Sequence, residues 1–234
     1  ESAPGMADLT VTFGAFKQGQ FLYPGKACTG KLEIDHIGIP VALSEQCKEA
    51  VFLPSRQDVI DAVRPRRVNS HKGTHGTVAV LTGCNDMAGA ALMTADGAVR
   101  AGAGKVFLYT PSETAKYCIA RQPEVMVHGV GPAGTRTLGG CEAREIADDL
   151  ENASVLVMGP GMGKHEGVFD FINCIAEKTT CPMVIDADGL NCLAEHDKRA
   201  FFKKYGRRTV ITPHPAEFSR LSGESVRDIK TDLI

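Results

Sequence analysis

The sequence predicts an α/β fold around a central, mainly parallel sheet. From Thr77 onward, short apolar strand-like runs alternate with helical stretches, the pattern of βαβ units whose sheet is covered on both faces. Right-handed crossovers then bring every strand end to one edge. Two of those runs end in polar residues: Pro182-Met-Val-Ile-Asp-Ala-Asp-Gly-Leu-Asn191 and Thr209-Val-Ile-Thr-Pro-His-Pro-Ala-Glu217. The carboxyl ends of strands form the ligand crevice of such sheets, so Asp186, Asp188, Asn191, His214 and Glu217 are expected at one rim.

In chain order, Leu9–Phe13 predicts a strand, and 25–40 a loop with a second strand. A short helix is expected around 57–63, stopped by Pro65. Residues 1–40 read as the tail of a preceding unit, about 41–54 as a connector, and 55–234 as the main domain. Five strands follow, over 77–82, 105–110, 154–158, 183–186 and 209–212. Helices are expected over 87–102, 113–120 and about 165–177, and a last one starts at Ser225 as its cap. The Gly-rich stretch 129–140 reads as a loop.

Composition narrows the function classes. Of 234 residues, 43% are apolar, enough for a full core, and mixed charges leave a net charge of -2. A nucleic-acid footprint needs a concentrated basic surface, and none is visible. No run of about 18 apolar residues is present, so no membrane span is expected. The eight cysteines form no Cys-x-x-Cys pair, which argues against zinc-ribbon and thioredoxin readings. They read as reduced, small hydrophobes in a cytoplasmic setting.

Gly159-Pro-Gly-Met-Gly163 follows a strand and precedes a helix, a place where a ligand can approach backbone and an anion is favoured. It fails the Walker A spacing, because Lys164 is followed by His165. It also fails the dinucleotide fingerprint, because position 164 is Lys. On spacing alone, a tight turn without ligand fits nearly as well. Ala88-Gly-Ala-Ala91 and Arg100-Ala-Gly-Ala-Gly104 make the 87–104 stretch thin. Helix-on-sheet packing explains that as readily as a bulky ligand does. Pro215 suits a first helical position and Glu217 a first turn, which accounts for Glu217 but not for His214. His71 and His75 have i,i+4 spacing, but Gly73 and Gly76 argue against a helix, so the zinc reading is weak.

Together, His71-Lys-Gly-Thr-His-Gly76, the two Ala/Gly clusters, Gly159–Gly163, Asp186-Ala-Asp-Gly-Leu-Asn191 and Thr212-Pro-His-Pro-Ala-Glu217 resemble the ADP-dependent NAD(P)H-hydrate dehydratase family. The resemblance covers roughly 55–234. It implies a ribokinase-like three-layer fold whose C-terminal part is missing here. Ala7-Asp-Leu-Thr-Val-Thr-Phe-Gly14, Lys17 and Asp35-His-Ile-Gly-Ile-Pro40 resemble the last strands of the NAD(P)H-hydrate epimerase domain fused ahead of it in bifunctional repair enzymes.

The implied reaction repairs hydrated NADH or NADPH: a nucleotide, ADP or ATP, phosphorylates the ring hydroxyl, and phosphate then leaves. Ala90, Gly161, Gly163 and His214 match substrate contacts. Asp186, Asp188 and Asn191 shape the rim, and Glu217 organises Mg2+ through water. K+ is implied for the fused epimerase, and a homo-oligomer for the assembly. The resemblance puts the anion hole and the aspartate base beyond Ile234, so no catalytic residue is assigned and the isolated chain is expected to be inactive. The runner-up enzyme is a small-molecule kinase on the same fold, against which His214 stands where such kinases usually carry Asn. A non-catalytic nucleotide-binding module is the alternative outside enzymology.

Overall fold

The computed structural model describes residues 5–40, 42–43, 51–63 and 65–231. The chain divides into two compact units, one ending at Pro65 and the other beginning at Arg66.

In the first unit, β1 (Leu9–Phe13) and β2 (Lys31–Asp35) pair in parallel, with Leu9 opposite Lys31 and Phe13 opposite Asp35. Helix α1 (Gly25–Cys28) lies between them in sequence. Lys17 folds back on the end of β1: its Nζ donates to Thr12 Oγ1 at 2.9 Å and to the carbonyls of Phe13 and Ala15 at 2.6 and 2.8 Å. Those bonds use all the donors of an ammonium group, so Lys17 pins this turn. Helix α2 (Arg56–Ala62) starts at Ser55, whose hydroxyl accepts from Asp58 N. The reciprocal bonds from Ser55 hold the Asp58 carboxyl below its usual range.

The second unit contains a six-stranded, all-parallel sheet: β3 (Thr77–Leu81), β4 (Lys105–Pro111), β5 (Met126–Val130), β6 (Val155–Met158), β7 (Met183–Ile185) and β8 (Thr209–Ile211). The order across it is β5-β4-β3-β6-β7-β8. The five expected strands form. The sixth, β5, takes Gly129 and Val130 out of the expected loop. His128 and Gly129 interrupt its apolar run, and as an edge strand it needs only β4 beside it. His128 stacks on Tyr109 of β4 at 5.0 Å between ring centroids.

Helices α3 (Ala88–Arg100), α4 (Ser112–Ile119), α6 (Gly167–Lys178) and α10 (Val226–Thr231) match expected segments. Ser225 Oγ accepts from Asp228 N at 3.1 Å, the cap expected for α10. Helix α9 (Pro215–Ser222) starts at Pro215 with Glu217 in its first turn, as expected, whereas three helices go beyond the expected segments: α5 (Gly140–Ile146), α7 (Asp188–Glu195) and α8 (Lys198–Tyr205). Residues 72–75 form a single 3-10 turn, with His71 Nδ1 accepting from Gly73 N.

The sheet is buried on both faces, which makes three layers. Leu81, Tyr109, Leu156, Met158, Met183 and Ile185 meet Ile146, Phe171, Ile172, Ile175, Leu193 and Phe201 from α5 to α8. Val80, Val106 and Leu108 meet Ala91, Ala95 and Cys118 from α3 and α4. Phe171, Ile172 and Ile175 are fully buried. Each such side chain contributes about 1.5–3 kcal/mol. The chain runs outward from β3 through β4 to β5, then returns to the other side of β3 as β6. That reversal is a topological switch point, and it lies between the carboxyl ends of β3 and β6.

Candidate functional site

The switch point is where the Gly-rich turn meets the thin helix. After β6, the chain enters the turn at Gly159, whose φ is +116 and whose added Cβ would lie 2.0 Å from Asp186 O. Only glycine fits there, because the turn is pressed onto the residues that follow β7. Gly161 also approaches α3 closely: an added Cβ would lie 2.6 Å from Ala90 Cβ and 3.1 Å from Met87 O. A backbone bond from Gly83 N to Pro160 O, 3.0 Å, ties the loop after β3 to the same turn.

The turn is also fastened to α7. Gly163 N donates to Asp188 Oδ2 at 3.0 Å. β7 ends at Ile185, so strand alternation does not decide the direction of the two aspartates. Ala187 takes a φ of 50 between them. Asp186 Oδ1 accepts from Ala187 N at 2.8 Å. Asp188 sits in the first turn of α7, where the helix dipole favours its charge. Asn191 lies one turn further in, 9% exposed, with its Oδ1 bonded to Arg220 of α9 at 2.7 Å.

His214 and Glu217 cap α9 as a pair. His214 Nδ1 accepts from Ala216 N at 3.1 Å and Glu217 N at 3.4 Å, while Glu217 Oε2 accepts from His214 N at 3.0 Å. His214 Nε2 lies 3.2 Å from Glu217 Oε1. An accepting Nδ1 bears no proton, so this arrangement selects the tautomer protonated on Nε2. Glu217 is buried at 6% exposure, whereas the His214 side chain is 60% exposed and free to meet a ligand.

The expected residues therefore join in three contacts, Ala90 with Gly161, Gly163 with Asp188, and His214 with Glu217, while Asn191 binds Arg220. The Asp186 carboxylate closes only its own turn. A cavity of about 180 Å³ backs onto the site between Lys164–Glu166 and α7. A larger groove, about 480 Å³, lies between α5 and α6 and holds none of the expected residues. Sequence reasoning missed Met87, Pro160 and Arg220. Each acts through a contact distant in the chain and carries no local signal.

Among the described residues no group of three His, Cys, Asp or Glu side chains is placed to hold a metal. Glu217 spends one lone pair of Oε2 on His214 N, and Oε1 lies near the imidazole. One carboxylate with a lone pair left on each oxygen suits an outer contact through water to a Mg2+ carried by phosphates, not a direct site.

A parallel sheet with helices on both faces and glycine turns at its switch point defines a three-layer α/β protein. A ribokinase-like superfamily protein from Enterococcus faecalis shares the fold, with a TM-score of 0.63 at 22% identity over 76% of this chain and 61% of that one. Residues 78–233 match the NAD(P)H-hydrate dehydratase family, and the chain belongs to it. The ADP/ATP-dependent NAD(P)H-hydrate dehydratase from Bacillus subtilis, co-crystallized with ATP/Mg2+, is similar at 29% identity, with a TM-score of 0.57 over 72% of this chain and 55% of that one. The bifunctional NAD(P)H-hydrate repair enzymes of Escherichia coli and Coxiella burnetii are 37% and 36% identical over 97% of this chain. The chain spans 41% and 43% of their lengths.

Proposed function

We propose that this chain forms the substrate wall of an ADP- or ATP-dependent lyase that dehydrates NADH or NADPH hydrate. The observation that carries the reading is the contact of Gly161 with Ala90 at the switch point, within the segment that matches the family. It leaves backbone and a methyl group, with little side-chain bulk, where a dinucleotide would lie. Gly163, held by Asp188, continues that surface, with Asp186 closing the turn below. His214 presents a rigid imidazole edge at the next strand end.

In this reading the nucleotide phosphorylates the ring hydroxyl of the hydrate. The hydroxyl proton is lost and the nucleotide departs one phosphate shorter; the ring nitrogen's lone pair then expels phosphate, and loss of a proton from the neighbouring ring carbon restores the conjugated ring. Hydroxide leaves poorly and phosphate well, so the nucleotide converts one into the other. The residues of this chain bind and orient, and orientation is a large share of such catalysis. Mg2+ bound with the nucleotide would neutralise phosphate charge, with Glu217 as its water-mediated anchor.

Residues 1–40 are assigned to the end of an NAD(P)H-hydrate epimerase domain, 41–54 to a connector and 55–234 to the dehydratase domain. The bifunctional names of the relatives and their match over 97% of the chain support this division. K+ belongs with the epimerase domain. A cytoplasmic homo-oligomer completes the reading. The free cysteines at 28, 84, 118, 141, 174, 181 and 192 fit a reducing compartment.

Calorimetric titration of the chain with hydrated NADH, with NADH as control, tests the reading. Binding of the hydrate is expected, with at least roughly a tenfold loss in His214→Ala, the 1.4 kcal/mol scale of one good polar contact. Equal affinity of wild type and His214→Ala would sink the assignment of His214.

A further inference from the structure

Two helix starts carry the polar edges of the proposed site, and the spacing between them is set one turn deeper. Asp188 opens α7 and His214 caps α9, with Glu217 in its first turn. Three residues beyond Asp188 and Glu217 lie Asn191 and Arg220. Residues three apart share a helix face, so this second pair sits below the first on each helix. There, Arg220 Nη1 donates to Asn191 Oδ1 at 2.7 Å.

We infer that Arg220 is a positioning residue for the dinucleotide site: through Asn191 it clamps α9 to α7 and holds the His214–Glu217 edge at a set distance from the Asp188–Gly163 edge. The inference rests on the crevice reading above. Both helices have eight residues, about two turns, so side-chain ridges give few interlocks to fix their register. A directional, charge-assisted bond onto a buried amide supplies what packing leaves loose. Asn191 is 9% exposed, so its carbonyl has little access to water as a substitute partner. The backbone of Arg220 is tied as well: its carbonyl accepts from Lys198 Nζ of α8 at 2.9 Å. Arg220 thus joins three helices, and its guanidinium links the two that bear site residues.

A double-mutant cycle on the affinity of the chain for hydrated NADH tests the role. Arg220→Ala and Asn191→Ala are each expected to weaken binding about five- to tenfold, the lower range of measured couplings between sites. The double variant is expected to bind no worse than the weaker single one, because both remove the same bond. Arg220→Lys, which keeps the charge and the aliphatic stem, is expected to recover most of the affinity. If Arg220→Ala does not fold, Asn191→Ala and Arg220→Lys carry the comparison, with circular dichroism melts confirming folded protein at the titration temperature. Wild-type affinity in Asn191→Ala or in a folded Arg220→Ala overturns the inference. So do losses that multiply in the double variant, which would mean that Asn191 meets the ligand independently of Arg220. A wild-type chain with no affinity for the hydrate overturns the crevice reading first and this role with it. Affinity in wild type that survives the Arg220 change overturns this role alone.

Discussion

Replacing Gly161 by alanine puts one methyl group into the contact that defines the switch point. Its Cβ would lie 2.6 Å from Ala90 Cβ and 3.1 Å from both Met87 Cβ and Met87 O. Carbon atoms in good contact sit about 3.5–4.0 Å apart. Either α3 or the turn must therefore move, and overpacking of this kind costs about 1–3 kcal/mol. The backbone adds a second cost. Gly161 has a φ of 66, and an L side chain in that left-handed region costs roughly 1–2 kcal/mol. Alanine also restricts the unfolded chain, which returns about 0.4–1 kcal/mol. The net loss is about 2–4 kcal/mol, a large part of the roughly 5–15 kcal/mol of a typical domain. Urea unfolding of wild type, Gly161→Ala, Ala90→Gly and the double variant separates the two costs. Removing the Ala90 methyl relieves the shortest contact but leaves the backbone cost, so a favourable coupling of about 1 kcal/mol is expected between the positions. A Gly161→Ala loss below about 0.5 kcal/mol, or a coupling lost in the error of about 0.3–0.5 kcal/mol, would show that turn and helix do not touch as described.

Asp188→Ala removes the acceptor of Gly163 N and is expected to destabilise by about 1–3 kcal/mol, while Asp188→Asn keeps an acceptor and loses less. Hydrogen exchange at the Gly163 amide checks this, and unchanged protection in Asp188→Ala would count against the bond. Burial, aided by Glu195 and Asp170, pushes the Cys192 thiol up to about 11 from an ordinary 9.0. Above pH 9.0 the unfolded chain releases this proton and the folded chain keeps it, so stability falls as pH rises from there to about 11. The loss is on the order of 2–3 kcal/mol. Urea midpoints measured across that range should fall less steeply in Cys192→Ala, and parallel curves for the two proteins would refute the cause.

What the sequence showed of this protein depends on how far apart the cooperating residues lie. Ser225 with Asp228, and Pro215 with Glu217, are readable because a helix cap is a conversation within one turn. The central strands are readable because burial on both faces leaves long apolar runs. β5 escaped because its edge position tolerates His128 and Gly129, so its pairing with β4 is decided by the sheet and not by its own pattern. α7 escaped for a related reason. Its first turn follows Ala187 at a φ of 50, and Asp188 is held by Gly163, 25 residues away.

The same distinction separates the residues of the candidate site from its geometry. His214 and Glu217 form a closed local unit, and the unit's own bonds select the imidazole tautomer. No local rule places that unit relative to Asp188. Extending the strand past Ile185 would have put Asp186 and Asp188 on one face, whereas the chain leaves the strand there and gives each aspartate a different backbone amide. The distance across the crevice depends instead on tertiary contacts: Gly161 against Ala90 on one side, and Arg220 against Asn191, 29 residues apart, on the other. A change at His214 or Glu217 therefore alters the chemistry of one edge. A change at Gly161 or Arg220 leaves the polar groups of both edges intact and alters the gap between them.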